Sequence, residues 1–153
     1  MTDEMKQEFT RRITAANRTE MVVITYEIAL EYLKEADEAG SGEPFYEAVK
    51  HAKRCVEQLR SVLDYNYEIS HTLMRLYNFI AEELDRAVMR NDPSCYAESR
   101  KILTELHDAW NEIADQDDSG QMMQNTEKVY AGLTYGREGA AESTADPVRG
   151  FTV

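Results

Sequence analysis

The chain has 153 residues and a net charge of −12. That length suits one domain with a full hydrophobic core, and the charge excludes the cationic face that DNA, RNA or an anionic membrane surface would require. Residues 1–18 and 119–153 each lie within one charge of neutrality, so the acidic excess falls on residues 19–118. No apolar run approaches the ~18 residues that a membrane span needs. The opening Met-Thr-Asp-Glu-Met-Lys lacks the apolar middle of a signal peptide, which predicts a cytoplasmic protein. Cys55 and Cys95 have neither a C-x-x-C partner nor metal spacing and read as ordinary small residues.

Residues 1–16 form a mixed-charge arm with two apolar points, Phe9 and Ile13, four apart. That spacing fits a short helix docked on the rest of the chain. Asn17-Arg18-Thr19-Glu20 then reads as a capping box, with Asn17 capping and Glu20 three residues on. A long helix follows to about Ala39. At ~100° per residue its residues Glu20, Glu27, Glu31, Lys34 and Glu35 make one narrow polar strip. Met21, Val22, Val23, Tyr26, Ile28, Ala29, Leu30, Tyr32 and Leu33 cover much of the remainder. An outer helix of a bundle needs an apolar arc of only ~100° or slightly more, and this arc is about twice that. The surplus is either covered by the arm or the tail, or it is a groove for another chain. A displaceable cover reconciles the two.

Gly40-Ser41-Gly42 ends that helix and Pro44 opens the next. Phe45, Val49, Ala52, Val56, Leu59 and Leu63 give the second helix a heptad-like stripe. Asp64 to Glu68 is the expected reversal. The third helix places Ile69, Leu73, Leu76, Ile80, Leu84 and Ala87 on one face, widened by Tyr77 and Val88. Asn91-Asp92-Pro93-Ser94 predicts a turn in which Asp92 caps and Pro93 takes the first helical position. The fourth helix carries Ile102, Leu103, Leu106, Ala109, Trp110 and Ile113 on one stripe. Asp117-Asp118-Ser119-Gly120 ends it. These elements predict an all-α fold: an antiparallel up-down-up-down four-helix bundle over residues 17–118, with the arm 1–16 in front. Residues 119–153 read as a flexible polar tail with an apolar patch at 129–136, suited to docking on the domain's own surface.

Two stretches carry spacings that catalytic or metal chemistry uses. Glu68-x-x-His71 has the spacing of a di-iron ligand pair, but that chemistry needs the motif twice and two more carboxylates. His51 and His107 do not follow a Glu by three, so no metal is expected. His71-Thr72-Leu73-Met74-Arg75 is similar to the phosphate-accepting segment of histidine phosphotransfer domains. It has Met74 and Arg75 where those domains have the Lys that balances phosphate charge and the Gly that admits a partner. No glycine-rich phosphate loop and no nucleophile–base pairing is recognisable. The chain reads as a binder with no enzymatic activity and no cofactor.

Between Leu63 and Trp110 the chain sets Leu63, Ile69, Leu73, Leu76-Tyr77, Phe79, Leu84, Ala87, Asn91-Asp92, Leu103, Leu106 and Ala109-Trp110 in that order. With these residues the stretch resembles the flagellar secretion chaperone FliS family. Glu20-Met21, Tyr26 and Leu30 resemble that family's opening, and the match spans roughly Ala16 to Ala114. The resemblance implies a cytosolic chaperone that binds the disordered C-terminal segment of flagellin, blocks premature polymerisation and delivers the subunit to the flagellar type III export apparatus. It implies contact residues Met21, Tyr26, Ile28, Tyr32, Leu76, Tyr77 and Phe79, and a cap formed by Phe9 and Ile13. Family members often carry tyrosines in this arm and a Gly where this chain has Asn66-Tyr67-Glu68. An export-gate component is a further expected partner, and the protein is expected to be a monomer or a weak homo-oligomer. The alternatives are a general helical adaptor for another amphipathic segment and a histidine phosphotransfer domain.

Overall fold

The structure is a computed structural model that describes residues 1–122. The patch expected at 129–136 therefore lies outside the described residues, as does most of the tail. The described residues form five α-helices and one 3-10 turn, and no strand. Helix α1 spans Asp3–Ala15, α2 Arg18–Ala39, α3 Gly42–Ser61, α4 Glu68–Arg90 and α5 Ala97–Gln116. No helix among them is long and apolar enough to cross a membrane.

Local chemistry sets most of the boundaries. The Oδ1 of Asn17 accepts from the Glu20 N–H at 2.8 Å, so α2 starts at its predicted cap. Gly40 and Gly42 have φ of 72° and 79°, the left-handed region that a Cβ disfavours, and they make the tight α2–α3 turn. Helix α3 begins at Gly42, two residues ahead of Pro44. Between α3 and α4 the chain breaks rather than bends. Asp64 Oδ1 accepts from the Asn66 N–H, and Ser70 Oγ donates to the Asp64 carbonyl at 2.6 Å. Asn91 takes the left-handed position at the end of α4. Asp92 caps the next turn by accepting from Ser94 N–H at 2.9 Å, but Pro93 opens a 3-10 turn, Pro93–Tyr96, before α5 begins.

Helix α2 is the hub: it packs on α1, α3 and α5, and α3 packs on α4. Side-chain contacts fix the directions. From α2 to α5, Asp37 pairs with Arg100, Glu27 with His107 and Thr19 with Asp117, so those helices run oppositely. From α3 to α4, Lys53 pairs with Asp85 and Arg60 with Asn78, again in opposite directions. The core holds Met21, Tyr26, Ile28, Leu33, Phe45, Val49, Val56, Leu59, Leu73, Tyr77, Ile80, Leu84, Tyr96 and Leu103. Across it the Tyr26 and Tyr77 hydroxyls hydrogen-bond to each other, which satisfies both buried groups and joins α2 to α4. Burial above all pushes both phenols up from their ordinary pKa, so they stay neutral. Cys55 is buried with its thiol pushed up to about 12 by desolvation, and Cys95 is half-buried.

Two predicted stripes are buried differently from the expectation. Ile69 is 60 % exposed and Leu76 is only half-buried, while Tyr77 is buried on the face it was expected to widen and Ala81 is buried beside it. Along α5 only Leu103 of the predicted six is fully buried. Ile102, Leu106 and Trp110 are half-buried, Ala109 is exposed and Ile113 is 50 % exposed. The cause is the direction in which α5 leans: it lies against α2 and makes little contact with α4.

Candidate apolar docking site

Among the described residues, two apolar surfaces remain after the core is accounted for, and they differ in what covers them. The first is the outer face of α2. Helix α1 runs along it in the opposite direction, with the Met1 ammonium on Glu35 and Arg12 on Glu27. Phe9 and Ile13 are buried there, in one cluster with Ile24 and Ile28. The polar strip of α2 is thus not simply a solvated edge. Glu27, Glu31 and Glu35 are half-buried, and Glu27 and Glu35 are the rail on which α1 is fastened.

Glu27 also accepts a hydrogen bond from His107 of α5 at 3.0 Å when that ring nitrogen is protonated, so one carboxylate joins three helices. Burial pushes the Glu27 carboxyl up, but Arg12 and His107 outweigh it and hold the pKa below the usual carboxylate value. Burial likewise pushes His107 down, and the carboxylates of Glu27 and Asp108 outweigh it and raise the imidazole pKa. A cleft of about 480 Å³ opens where α1, the start of α2 and the end of α5 meet. Arg11, Arg12, Glu20 and Asp115 border it, and its lining holds no nucleophile–base pair.

The second surface is the side of α4 that faces α5. Near the turn the two helices are pinned, because Glu83 Oε1 accepts from both the N–H and the Oγ–H of Ser99. A step of seven residues nearly keeps the same helix face, so moving back along α4 and forward along α5 gives Leu76 and Leu106, and then Ile69 and Ile113, matching register positions on the sides that Glu83 and Ser99 mark. Phe79, 39 % exposed, stands on the outer edge of the same strip. These residues form an apolar strip whose exposure rises with distance from the turn, from half-buried Leu76 and Leu106 to exposed Ile69 and Ile113. Glu98, Glu105 and Glu112, all exposed and seven apart, run along its α5 border. At its far end the α3–α4 loop adds the exposed Val62, Tyr65 and Tyr67.

The expected contact residues fall into three positions. Phe79 and Leu76 lie on the open strip. Met21, Ile28 and Tyr32 are buried on the side of α2 toward α1 and α3, where the Tyr32 ring stacks on His51 with centroids 4.8 Å apart. Tyr26 and Tyr77 are inside the core. Phe9 and Ile13 are buried as the apolar anchors of α1. His71 is an exposed residue in the first turn of α4, against Tyr65. Periodicity assigned Ile69, Leu106 and Ile113 to the core, so their place on the strip is new from the structure. The signal available was that α4 and α5 each carried more apolar positions than a single contact face uses.

The chain is 23% identical over 103 residues to the flagellar secretion chaperone FliS of Bacillus subtilis (strain 168), covering 65% of this chain and 77% of that protein. The family model described as flagellar protein FliS matches residues 1–117, from the first turn of α1 to the end of α5. The likeness read from sequence began near Ala16, so the family match also takes in the arm. The chain belongs to the FliS family.

Proposed function

We propose that this protein is a flagellar export chaperone that binds the disordered C-terminal segment of flagellin in the cytosol. It keeps the segment from polymerising early and hands it to the flagellar type III export apparatus. Helices α2–α5 then serve as an up-down-up-down bundle with α1 as its removable cover. The observation that carries this function is the open strip of Ile69, Leu76, Phe79, Leu106 and Ile113, in a chain of this family. A segment that orders on binding needs apolar surface for its own apolar face, laid out at helical spacing. The strip offers that surface at once, through Leu76 and Phe79. Met21, Ile28 and Tyr32 become available when α1 leaves α2, and Tyr26 and Tyr77 hold the helices at the spacing that keeps both surfaces in place.

Pull-down of full-length flagellin, compared with flagellin lacking its last ~40 residues, tests the reading; a segment of that order is long enough to bury the roughly 1,000 Å² or more that coupled folding and binding involves. Binding confined to the full-length protein supports it. Equal binding of the truncated protein rejects it, and co-purification of a non-flagellar protein in place of flagellin favours a general helical adaptor.

A further inference from the structure

The hinge about which α1 would have to swing is itself tied down. Ala16 and Asn17 join α1 to α2 in extended conformation, with φ/ψ of −79°/144° and −80°/−179°. Both are buried, at 0 % and 2 % exposure, although they form a two-residue linker at one end of the molecule. What buries them includes the chain beyond α5, which turns back over the linker. The Met122 N–H donates to the Ala16 carbonyl at 3.1 Å, and the Met122 side chain packs on the core. Asn17 Nδ2 donates to the carbonyls of Asp117 and Ser119 at 3.3 and 3.5 Å. Thr19 Oγ1 donates to Asp117 Oδ2 at 2.6 Å. Within the returning segment, Asp117 Oδ1 accepts from the Ser119 N–H at 2.9 Å, which shapes the reversal.

We propose that residues 117–122 are a strap that locks α1 in its closed position by holding the Ala16–Asn17 hinge. Asn17 is the shared element. Its Oδ1 caps α2, and its Nδ2 holds the strap. Rotating about Ala16 and Asn17 to lift α1 moves the Ala16 carbonyl away from Met122 and exposes the buried linker. Opening the cover therefore costs the strap its anchor, and by linkage anything that pulls the strap away favours opening by the same factor. The consequence for binding rests on the reading of α1 as the cover of a flagellin site; the mechanical coupling does not.

The two side chains that hold the strap can be altered without removing the helix cap. Ser is as good an N-cap as Asn, so Asn17→Ser keeps an acceptor for Glu20 N–H and loses the donor to the strap without adding a charge. Thr19→Val removes the hydroxyl that reaches Asp117 at nearly constant volume. In the full chain carrying both changes, amide hydrogen exchange in α1 should quicken about tenfold, the effect of losing hydrogen bonds of ordinary net strength. Exchange in α3 and α4 should stay as it was. Unchanged exchange in α1, or an equal rise in every helix, overturns the strap. Affinity for the flagellin segment is then measured on the same variant. Faster α1 exchange with tighter binding supports both claims. Faster α1 exchange with unaltered binding keeps the strap and rejects α1 as the cover.

Discussion

The outer face of α2 and the α4–α5 strip are both apolar beyond what the core uses, yet one is sealed and the other is open. On α2 the seal is a 13-residue helix with two buried apolar anchors, Phe9 and Ile13, and charged contacts at both ends. An isolated helix of that length is marginal in water, so α1 depends on what it touches. The α4–α5 strip has no such lid among the described residues; Ile69, Phe79 and Ile113 meet solvent. An exposed apolar patch with a charged border marks an interaction surface more often than an accident of folding. The contrast teaches that, among the described residues, the excess apolar area is divided into a portion left open and a portion held behind α1.

The strongest way to break the comparison is to remove the seal. Phe9→Ala with Ile13→Ala should cost about 2 kcal/mol or more of α1 docking for each side chain lost. Amide exchange would report α1 as open while α2–α5 stay protected, and binding of an apolar dye should rise. A dye signal that stays flat would mean that α1 hides no usable surface.

Next in size is the strut between the two regions. Tyr77→Phe leaves the Tyr26 hydroxyl without its partner in the core and should lower unfolding free energy by about 1–3 kcal/mol, measured by denaturant titration. The double change with Tyr26→Phe should recover part of that loss, since no buried hydroxyl is then left unpaired.

On the open side binding should change as well as stability. Phe79→Ser should cost about 1–2 kcal/mol of stability, because part of the ring is buried although it is 39 % exposed. It should also weaken binding of the flagellin segment about tenfold or more if Phe79 is an anchor. Calorimetry of both quantities on one variant separates a docking residue from a packing residue.

The smallest effect is in pH. His107 has a raised pKa in the folded protein, so its contribution is full below the ordinary histidine value of about 6.5. It is lost as pH rises through the higher folded value. Glu27 has a lowered pKa, so its contribution is present above the ordinary glutamate value and lost as pH falls through the lower folded one. Thermal melts from pH 5 to 8 should show a shallow decline on the alkaline side, and His107→Gln should flatten it.

What was legible in the sequence was mostly local. The Asn17 cap, the Gly40 stop and the Asn91–Asp92 turn each depend on neighbours within four residues, and they mark their boundaries in the structure, although the Glu20 side chain does not bond back to the Asn17 N–H to complete a capping box. Tyr96 was not legible. It is fully buried, stacks toward Phe45 and donates its hydroxyl to Asp37 at 2.6 Å, a contact 59 positions away. The stripes of α4 and α5 named the right kind of residue but not which of them meet a neighbour. Periodicity gives a face, whereas burial of Ile69 or Ile113 depends on how closely two helices approach. The Glu27 rail was visible as a polar strip, but its partners Arg12 and His107 come from other helices. The tail patch at 129–136 falls outside the described residues.

For the chaperone to work as proposed, α1 must give way to the segment that it keeps out. Amide hydrogen exchange of the full chain, with and without a peptide of the flagellin C-terminal segment, reads this directly. The peptide should speed exchange across Asp3–Ala15 and slow it along α4 and α5. Bound peptide with α1 as protected as before would contradict the proposal.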